Sequence, residues 1–109
     1  GANSRIDMYD TIELLLSNQV QLAKAIKDLH RVESRDGKKK NDVKAVVLEE
    51  CMVALANGQN LSTALRPWIP DEEYQLLSAG ERSGLLIESL KDVTRLFKPL
   101  LGERFTQSF

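Results

Sequence analysis

The sequence predicts an all-α protein with six helices. Three observations favour this class. Apolar side chains recur at helical spacings along most of the 109-residue chain, the alternation typical of strands is absent, and only three prolines interrupt the pattern. A chain of this length forms one domain around a single core.

The first three helices are predicted from apolar stripes at spacings of three and four residues. They cover about residues 4–17, 20–34 and 42–57, and the wholly non-apolar residues 34–42 form a solvated loop between the second and third. Asn41 or Asp42 can cap the third helix, and Gly58 can end it. The predicted core residues of these helices are Met8, Tyr9, Ile12, Leu15, Leu16, Leu22, Ala25, Ile26, Leu29, Val43, Val46, Val47, Ala54 and Leu55.

The second half of the chain predicts three more helices. A short helix at about residues 61–66 ends at Pro67, a fifth helix opens at Pro70, and a sixth begins near Gly84 and ends at Pro99. Acidic residues at the start of the fifth helix suit its positive end. The predicted inward-facing residues are Trp68, Ile69, Tyr74, Leu76, Leu77, Leu86, Leu90, Val93 and Phe97.

Two segments of the chain resemble each other. Residues 15–26 can be laid over residues 54–65, and both read as a helix end, an Asn, a short turn and a Leu-x-x-Ala-(Ile/Leu) helix start. One interpretation is a pair of similar helical hairpins. The other is that any two helix–turn–helix units look alike. Two copies are too few for a repeat array.

Charge and cysteine content exclude several classes of function. Fifteen basic residues stand against sixteen acidic ones, so no overall positive field favours nucleic acid. Cys51 is the only cysteine, which rules out an intramolecular disulfide and favours a reducing compartment. No apolar run reaches the roughly 20 residues of a membrane span, and no signal peptide is predicted.

The most informative motif lies in residues 76–86, where a Gly-Glu-x-Ser-Gly turn joins two amphipathic segments. Three further motifs precede it: the Leu-x-x-Ala starts in residues 19–26 and 58–65, and the aromatic-Pro segment 68–70. In this order the motifs resemble the cytoplasmic domain of the inner-membrane platform protein of bacterial type II secretion and type IV pilus assembly (general secretion pathway protein F and its pilus relatives). The similarity covers about residues 5–98.

Three departures from the family pattern indicate a divergent, pilus-type member. The usual hydrophobic-aromatic-Arg start of the first helix is not evident. Gln19 replaces the usual Gly of the first turn, and Trp68 stands where Phe is commoner. The resemblance implies a six-helix antiparallel bundle built from helix-turn-helix hairpins. It also implies three parts: residues 1–4 as a leader or cloning remnant, residues 5–98 as the platform domain, and residues 99–109 as an apolar tail leading toward a membrane segment.

The role implied by the resemblance is a non-enzymatic scaffold at the cytoplasmic face of the bacterial inner membrane. It would couple the cytoplasmic assembly ATPase to the membrane machinery that adds pilin subunits. The implied partners are that ATPase, other inner-membrane components and a second copy in a homodimer, with no cofactor and no nucleic acid. The alternative is a stand-alone small helical adaptor or regulatory protein.

The candidate site residues form three groups. In the signature turn, Gly80 and Gly84 permit close helix approach and a tight turn, Glu81 caps or pairs near the next helix start, and Ser83 completes the motif; a docking role is the alternative. The second group is Arg35, Lys38, Lys39 and Lys40, which could meet an acidic partner or the anionic membrane surface, with a solvated loop as the simpler interpretation. The third group is Asp71, Glu72 and Glu73, which could contact a partner or a divalent cation, with helix-start acids as the simpler interpretation.

No catalytic, cofactor or metal site is predicted. His30 is the only histidine and lies on a charged helix, while Cys51 lies among apolar residues typical of a buried thiol. There is no nucleophile-elbow motif. Gly80 and Gly84 are followed by Leu85, without the Lys-Ser/Thr pair of a phosphate loop. The chain is therefore not expected to be an enzyme.

Overall fold

The computed structural model describes residues 2–98, in which six α-helices and one 3-10 turn are found and no strand. This confirms the predicted all-α bundle of six helices, and the predicted tail 99–109 lies outside the described residues. The described chain measures 33 × 31 × 25 Å. The elements are α1 (Ala2–Ser17), α2 (Leu22–Glu33), α3 (Val43–Ala56), α4 (Leu61–Leu65), the 3-10 turn (Arg66–Trp68), α5 (Asp71–Ser83) and α6 (Leu86–Phe97).

The helices pack in chain order, and α1 also packs against α6. Two long-range contacts fix their directions. Arg5 in the first turns of α1 meets Glu73 in the first turn of α5, and Glu81 in the last turn of α5 meets Ser62 at the start of α4. We call the end that holds residues 34–42, the starts of α1 and α5 and the last turn of α6 the loop end. The opposite end, with the turns after α1, α3 and α5, is the turn end.

Side chains from all six helices form one core. Tyr9, Ile12, Ile26, Val47 and Leu90 were predicted to face inward and are completely buried. Leu16, Leu22, Leu55, Trp68 and Phe97 are partly buried and pack against this core. Several completely buried residues were not predicted: Ile6, Leu48, Leu61 and Leu65.

The prediction for Val43 is wrong, because this side chain is 46% exposed. Val43 is the first residue of α3. At this position the apolar face of α3 extends beyond the core at the loop end. The predicted cap of α3 is also corrected. Asp42 occupies the N-cap position but makes no side-chain capping hydrogen bond, and Asn41 lies one residue outside it. Ser34, at the start of the predicted solvated loop, is buried.

The two similar sequence segments form the same backbone turn. Gln19 and Gly58, which correspond in the overlay, have φ angles of 68° and 76°. Val20 N–H donates to Leu15 O at 3.0 Å, and Gln59 N–H donates to Ala54 O at 2.9 Å. These are the long hydrogen bonds of a Schellman helix end. The sequence similarity therefore corresponds to two helix ends of one geometry.

Exchanging the residues at these two turns is expected to shift stability in opposite directions. Gln19→Gly should stabilise the domain by about 0.5–1 kcal/mol, because a left-handed conformation is costly for a residue with a Cβ. Gly58→Gln should destabilise it by a similar amount, although open space surrounds Gly58. Urea titrations with an unchanged slope give both values. A loss of stability in both variants would contradict this account.

Candidate functional site

The signature residues lie at the turn end, where α5 gives way to α6. Gly80, Glu81 and Ser83 are still helical, and only Gly84 leaves the helix, with φ 75° and ψ 22°. Leu85 N–H donates to Gly80 O at 2.7 Å, and Gly84 N–H donates to Glu81 O at 3.4 Å. These bonds form a Schellman motif, so Gly84 supplies the left-handed residue that ends α5.

Gly80 is required by the close approach of α5 and α6. A Cβ at this position would overlap Ser89 Oγ and would lie 2.5 Å from Ser89 Cβ and 3.0 Å from Leu85 O. Ser89 Oγ lies 3.2 Å from both Leu76 O and Leu85 O and donates to one of them. The two glycines of the motif therefore serve different purposes: Gly80 gives space, and Gly84 gives backbone freedom.

Glu81 connects the signature to a different helix from the one expected. Its two carboxylate oxygens accept from the Ser62 backbone N–H at 3.2 and 3.3 Å. Asn60, at the N-cap of α4, makes no side-chain capping bond, so Glu81 caps α4 from across the turn end. Ser83 Oγ donates to Ala79 O at 2.9 Å within α5. Gly80, Glu81 and Gly84 thus have roles in helix packing, capping and termination, whereas Ser83 bonds within α5.

Gly84→Leu is expected to destabilise the domain more than Arg82→Ala. The left-handed conformation should cost about 1–2 kcal/mol for leucine. Arg82 is exposed, and its guanidinium donates to Ser78 Oγ on the same helix, so its removal should change stability by less than about 0.5 kcal/mol. Thermal melts of the two variants make the comparison. Equal melting temperatures would show that the left-handed conformation at position 84 has no cost for a residue with a side chain.

A buried ionic cluster joins α1 to α5 at the loop end. Arg5 Nε and Nη2 donate to the two Glu73 oxygens, each at 2.8 Å, and Tyr9 Oη donates to Glu73 Oε2 at 2.9 Å. All three side chains are at most 2% exposed. Burial, together with the negative charge of Glu73, holds the pKa of Tyr9 far above its ordinary value.

This cluster corrects one of the candidate contacts. Glu73 cannot meet an external partner because it is buried and already paired with Arg5. The sequence analysis missed Arg5, although a signal was available. Arg5 lies four residues before Tyr9, so it shares the buried stripe of α1, and a charge on such a stripe requires a partner.

The remaining candidate contacts are exposed at the loop end, away from the signature. The basic group Arg35, Lys38, Lys39 and Lys40 lies on the loop between α2 and α3, and the acids Asp71 and Glu72 begin α5. The structure does not bring either group to the signature turn. Within residues 2–98, no group of three or more His, Cys, Asp or Glu side chains is placed to hold a metal ion.

Cys51 and His30 occupy different environments. The Cys51 thiol is fully buried in the core, and burial raises its pKa to about 12, which makes a nucleophilic role unfavourable. His30 is partly buried, and its Nε2 has no hydrogen-bond partner in the described part of the chain. Cys51 therefore acts as a small core residue.

A groove of about 480 Å³ between α3 and α4 was not foreseen from the sequence. Val46, Val53, Ala64 and Pro67 give it apolar walls, and Glu49 and Glu50 add negative charge. Trp68 Nε1 donates to Glu50 Oε1 at 3.0 Å, which fixes one acid beside the groove. Val53, which lines this groove, is 56% exposed.

The fold and the signature together define a helical-bundle domain whose motif residues hold helices in contact and terminate them. The family model for type II secretion system (T2SS) protein F matches residues 8–99, and the chain belongs to this family. This confirms the resemblance drawn from the four sequence motifs. The family is one of inner-membrane secretion proteins.

Comparison with curated proteins gave no match, and neither did comparison with solved structures. None of the helices in residues 2–98 combines the length and the apolarity needed to cross a membrane.

Proposed function

We propose that this domain is a non-enzymatic scaffold in the inner-membrane platform protein of type IV pilus biogenesis or type II secretion. On the cytoplasmic face it couples the assembly ATPase to the membrane components that add subunits. The family match over residues 8–99 carries this proposal. The signature supports it, because Gly80, Glu81 and Gly84 are all engaged in holding the bundle together.

The groove between α3 and α4 is the surface we propose for the ATPase. It offers an apolar wall with Val53 at its exposed edge and two glutamates beside it. Apolar anchors surrounded by charge are the usual composition of a helix-binding groove. A basic amphipathic helix of the ATPase fits this surface.

A binding titration against the assembly ATPase encoded in the same operon tests the proposal, with and without nucleotide. Saturable binding is expected, and Val53→Lys should weaken it at least tenfold by placing a positive charge against the basic helix in the groove. Leu14→Lys is the matched control, since Leu14 is 60% exposed on α1 and does not line the groove.

Two results would contradict the proposal. Absence of binding at high concentration by the full-length platform protein would remove the ATPase as a direct partner and would favour the adaptor interpretation. Equal weakening by Val53→Lys and Leu14→Lys would leave the ATPase as a partner but would reject the groove as its binding surface.

A further inference from the structure

The loop between α2 and α3 concentrates positive charge in an otherwise acidic domain. Residues 31–44 contain six basic and three acidic side chains, a net charge of +3, whereas the whole chain carries −1. The rest of the chain therefore carries −4. Lys38, Lys39 and Lys40 are all exposed, and no ion pair engages them in the described part of the chain.

Hydrogen bonds hold this loop in one shape. The buried Ser34 accepts from Lys39 N–H through its backbone oxygen at 2.7 Å and from Gly37 N–H through Oγ at 3.2 Å. Arg35, Asp36 and Gly37 follow one another with φ angles of 51°, 57° and 89°. The three lysines therefore extend from an ordered turn whose position relative to α2 and α3 is fixed.

Two exposed valines flank the lysines. Val32 near the end of α2 is 60% exposed, and Val43 at the start of α3 is 46% exposed. The ion pair between Glu33 and Lys44, with Oε1 and Nζ 3.6 Å apart, joins the residues next to them in sequence. The valines therefore lie at the same end of the α2–α3 hairpin as the lysines.

The orientation of the bundle adds a third observation. α6 runs from the turn end to the loop end, because α5 begins beside the start of α1 and α6 returns antiparallel to α5. Because α2 returns from the turn after α1, the antiparallel order of the helices places the basic loop toward the start of α1, and Lys98 therefore lies toward the same end as the basic loop. In a protein of an inner-membrane family, this end carries the basic loop and the two exposed valines, and the exposed acids Asp71 and Glu72 of α5 lie at the same end.

We propose that the loop between α2 and α3, with its flanking residues 31–44, docks on an anionic lipid surface. Lys38, Lys39 and Lys40 contact headgroup phosphates, and the flanking valines enter the headgroup layer. Ammonium groups on long flexible stems suit a surface of mobile phosphates, and apolar side chains beside them gain from leaving water. Membership of an inner-membrane family favours a lipid surface over an acidic protein as the partner of this loop. This inference goes beyond the scaffold proposal and does not require the ATPase contact.

Sedimentation with lipid vesicles tests the docking surface. The domain should bind vesicles of phosphatidylglycerol and phosphatidylethanolamine, fail to bind phosphatidylcholine vesicles, and lose affinity as salt is raised. Since each basic residue at such a surface strengthens binding roughly fivefold, the Lys38→Gln/Lys39→Gln/Lys40→Gln variant should bind roughly 100-fold more weakly. The Val32→Ser/Val43→Ser variant should also bind more weakly and with the same salt dependence.

Lys24→Gln/Lys27→Gln/Lys91→Gln is the matched control. It removes the same charge from exposed positions on α2 and α6 that lie outside the loop. An equal loss of binding in this control would show that the net charge of the domain, and not the position of the lysines, determines vesicle binding. That result would overturn the proposal. Binding to phosphatidylcholine of equal strength would do the same.

Two additional measurements distinguish a lipid surface from the other ligands that a basic loop can bind. Displacement of the domain by millimolar inorganic phosphate would indicate a small-anion site instead of a lipid surface. Binding to a poly-glutamate peptide without binding to anionic vesicles would indicate an acidic protein partner. The loop variant should still bind the assembly ATPase, so failure of the lipid test and failure of the scaffold proposal are distinguishable.

Discussion

Replacing Glu73 by alanine is expected to destabilise the domain by about 3–5 kcal/mol, the largest effect anticipated for a single side chain. The change removes the carboxylate that accepts two hydrogen bonds from the buried Arg5 guanidinium and one from Tyr9 Oη. Breaking one half of a buried ion pair is far more costly than losing an exposed one, because the remaining charge stays desolvated. Urea denaturation at low temperature measures the loss.

Neighbouring substitutions make this prediction specific. Glu72→Ala removes an exposed acid from the same helix turn and should change stability by less than about 0.5 kcal/mol. Glu73→Gln keeps the shape of the side chain and removes its charge, so its loss of stability should fall between those of Glu72→Ala and Glu73→Ala. It provides a measurable variant if Glu73→Ala is too unstable to purify. Arg5→Leu combined with Glu73→Leu should cost less than the two single changes added together. Similar stabilities for Glu72→Ala and Glu73→Ala would show that the cluster does not stabilise the fold.

Gly80→Ala is expected to be the second most damaging change, with a loss of about 2–3 kcal/mol. The added methyl would collide with the Ser89 side chain, which is buried and bonded to the α5–α6 hairpin. Helix propensity alone would favour alanine, so any loss measures the steric conflict. Thermal and urea unfolding of the variant test this.

A second substitution tests whether the collision with Ser89 causes the loss of stability. Ser89→Gly in the Gly80→Ala background should recover part of the stability by removing the atoms that the methyl meets, although Leu85 O at 3.0 Å remains close. Ala79→Ser, at the exposed neighbouring position, should be nearly neutral. A Gly80→Ala protein as stable as the parent would mean that α5 and α6 separate without cost.

The helices could be read from the sequence because the signals that define them are local. Spacings of three and four residues predicted all six, and their observed bounds differ from the predicted ones by about two residues. The sequence predicted the geometry of the helix ends less well. α1, α2, α3 and α5 all end in Schellman turns, yet the left-handed position is glycine only at Gly58 and Gly84 and is filled by Gln19 and Arg35 elsewhere.

The candidate functional site could be predicted only in part, because contacts between distant residues have no local signal in the sequence. The sequence motif located the signature and assigned its glycines to packing and turning. The capping partner of Glu81 lies 19 residues away on α4, and no local pattern names it. The groove between α3 and α4 is likewise a product of how two helices meet.

The sequence by itself determined the helical class, the order of the elements and the family, because each rests on short-range spacing or on a linear motif. Only the tertiary structure decided which charged residues are buried and which are free. Glu73 and Glu72 are adjacent acids of one helix turn, yet Glu73 alone meets Arg5, 68 positions earlier in the chain. The free energy of a charge depends on its surroundings in space, and those surroundings exist only after the helices have packed.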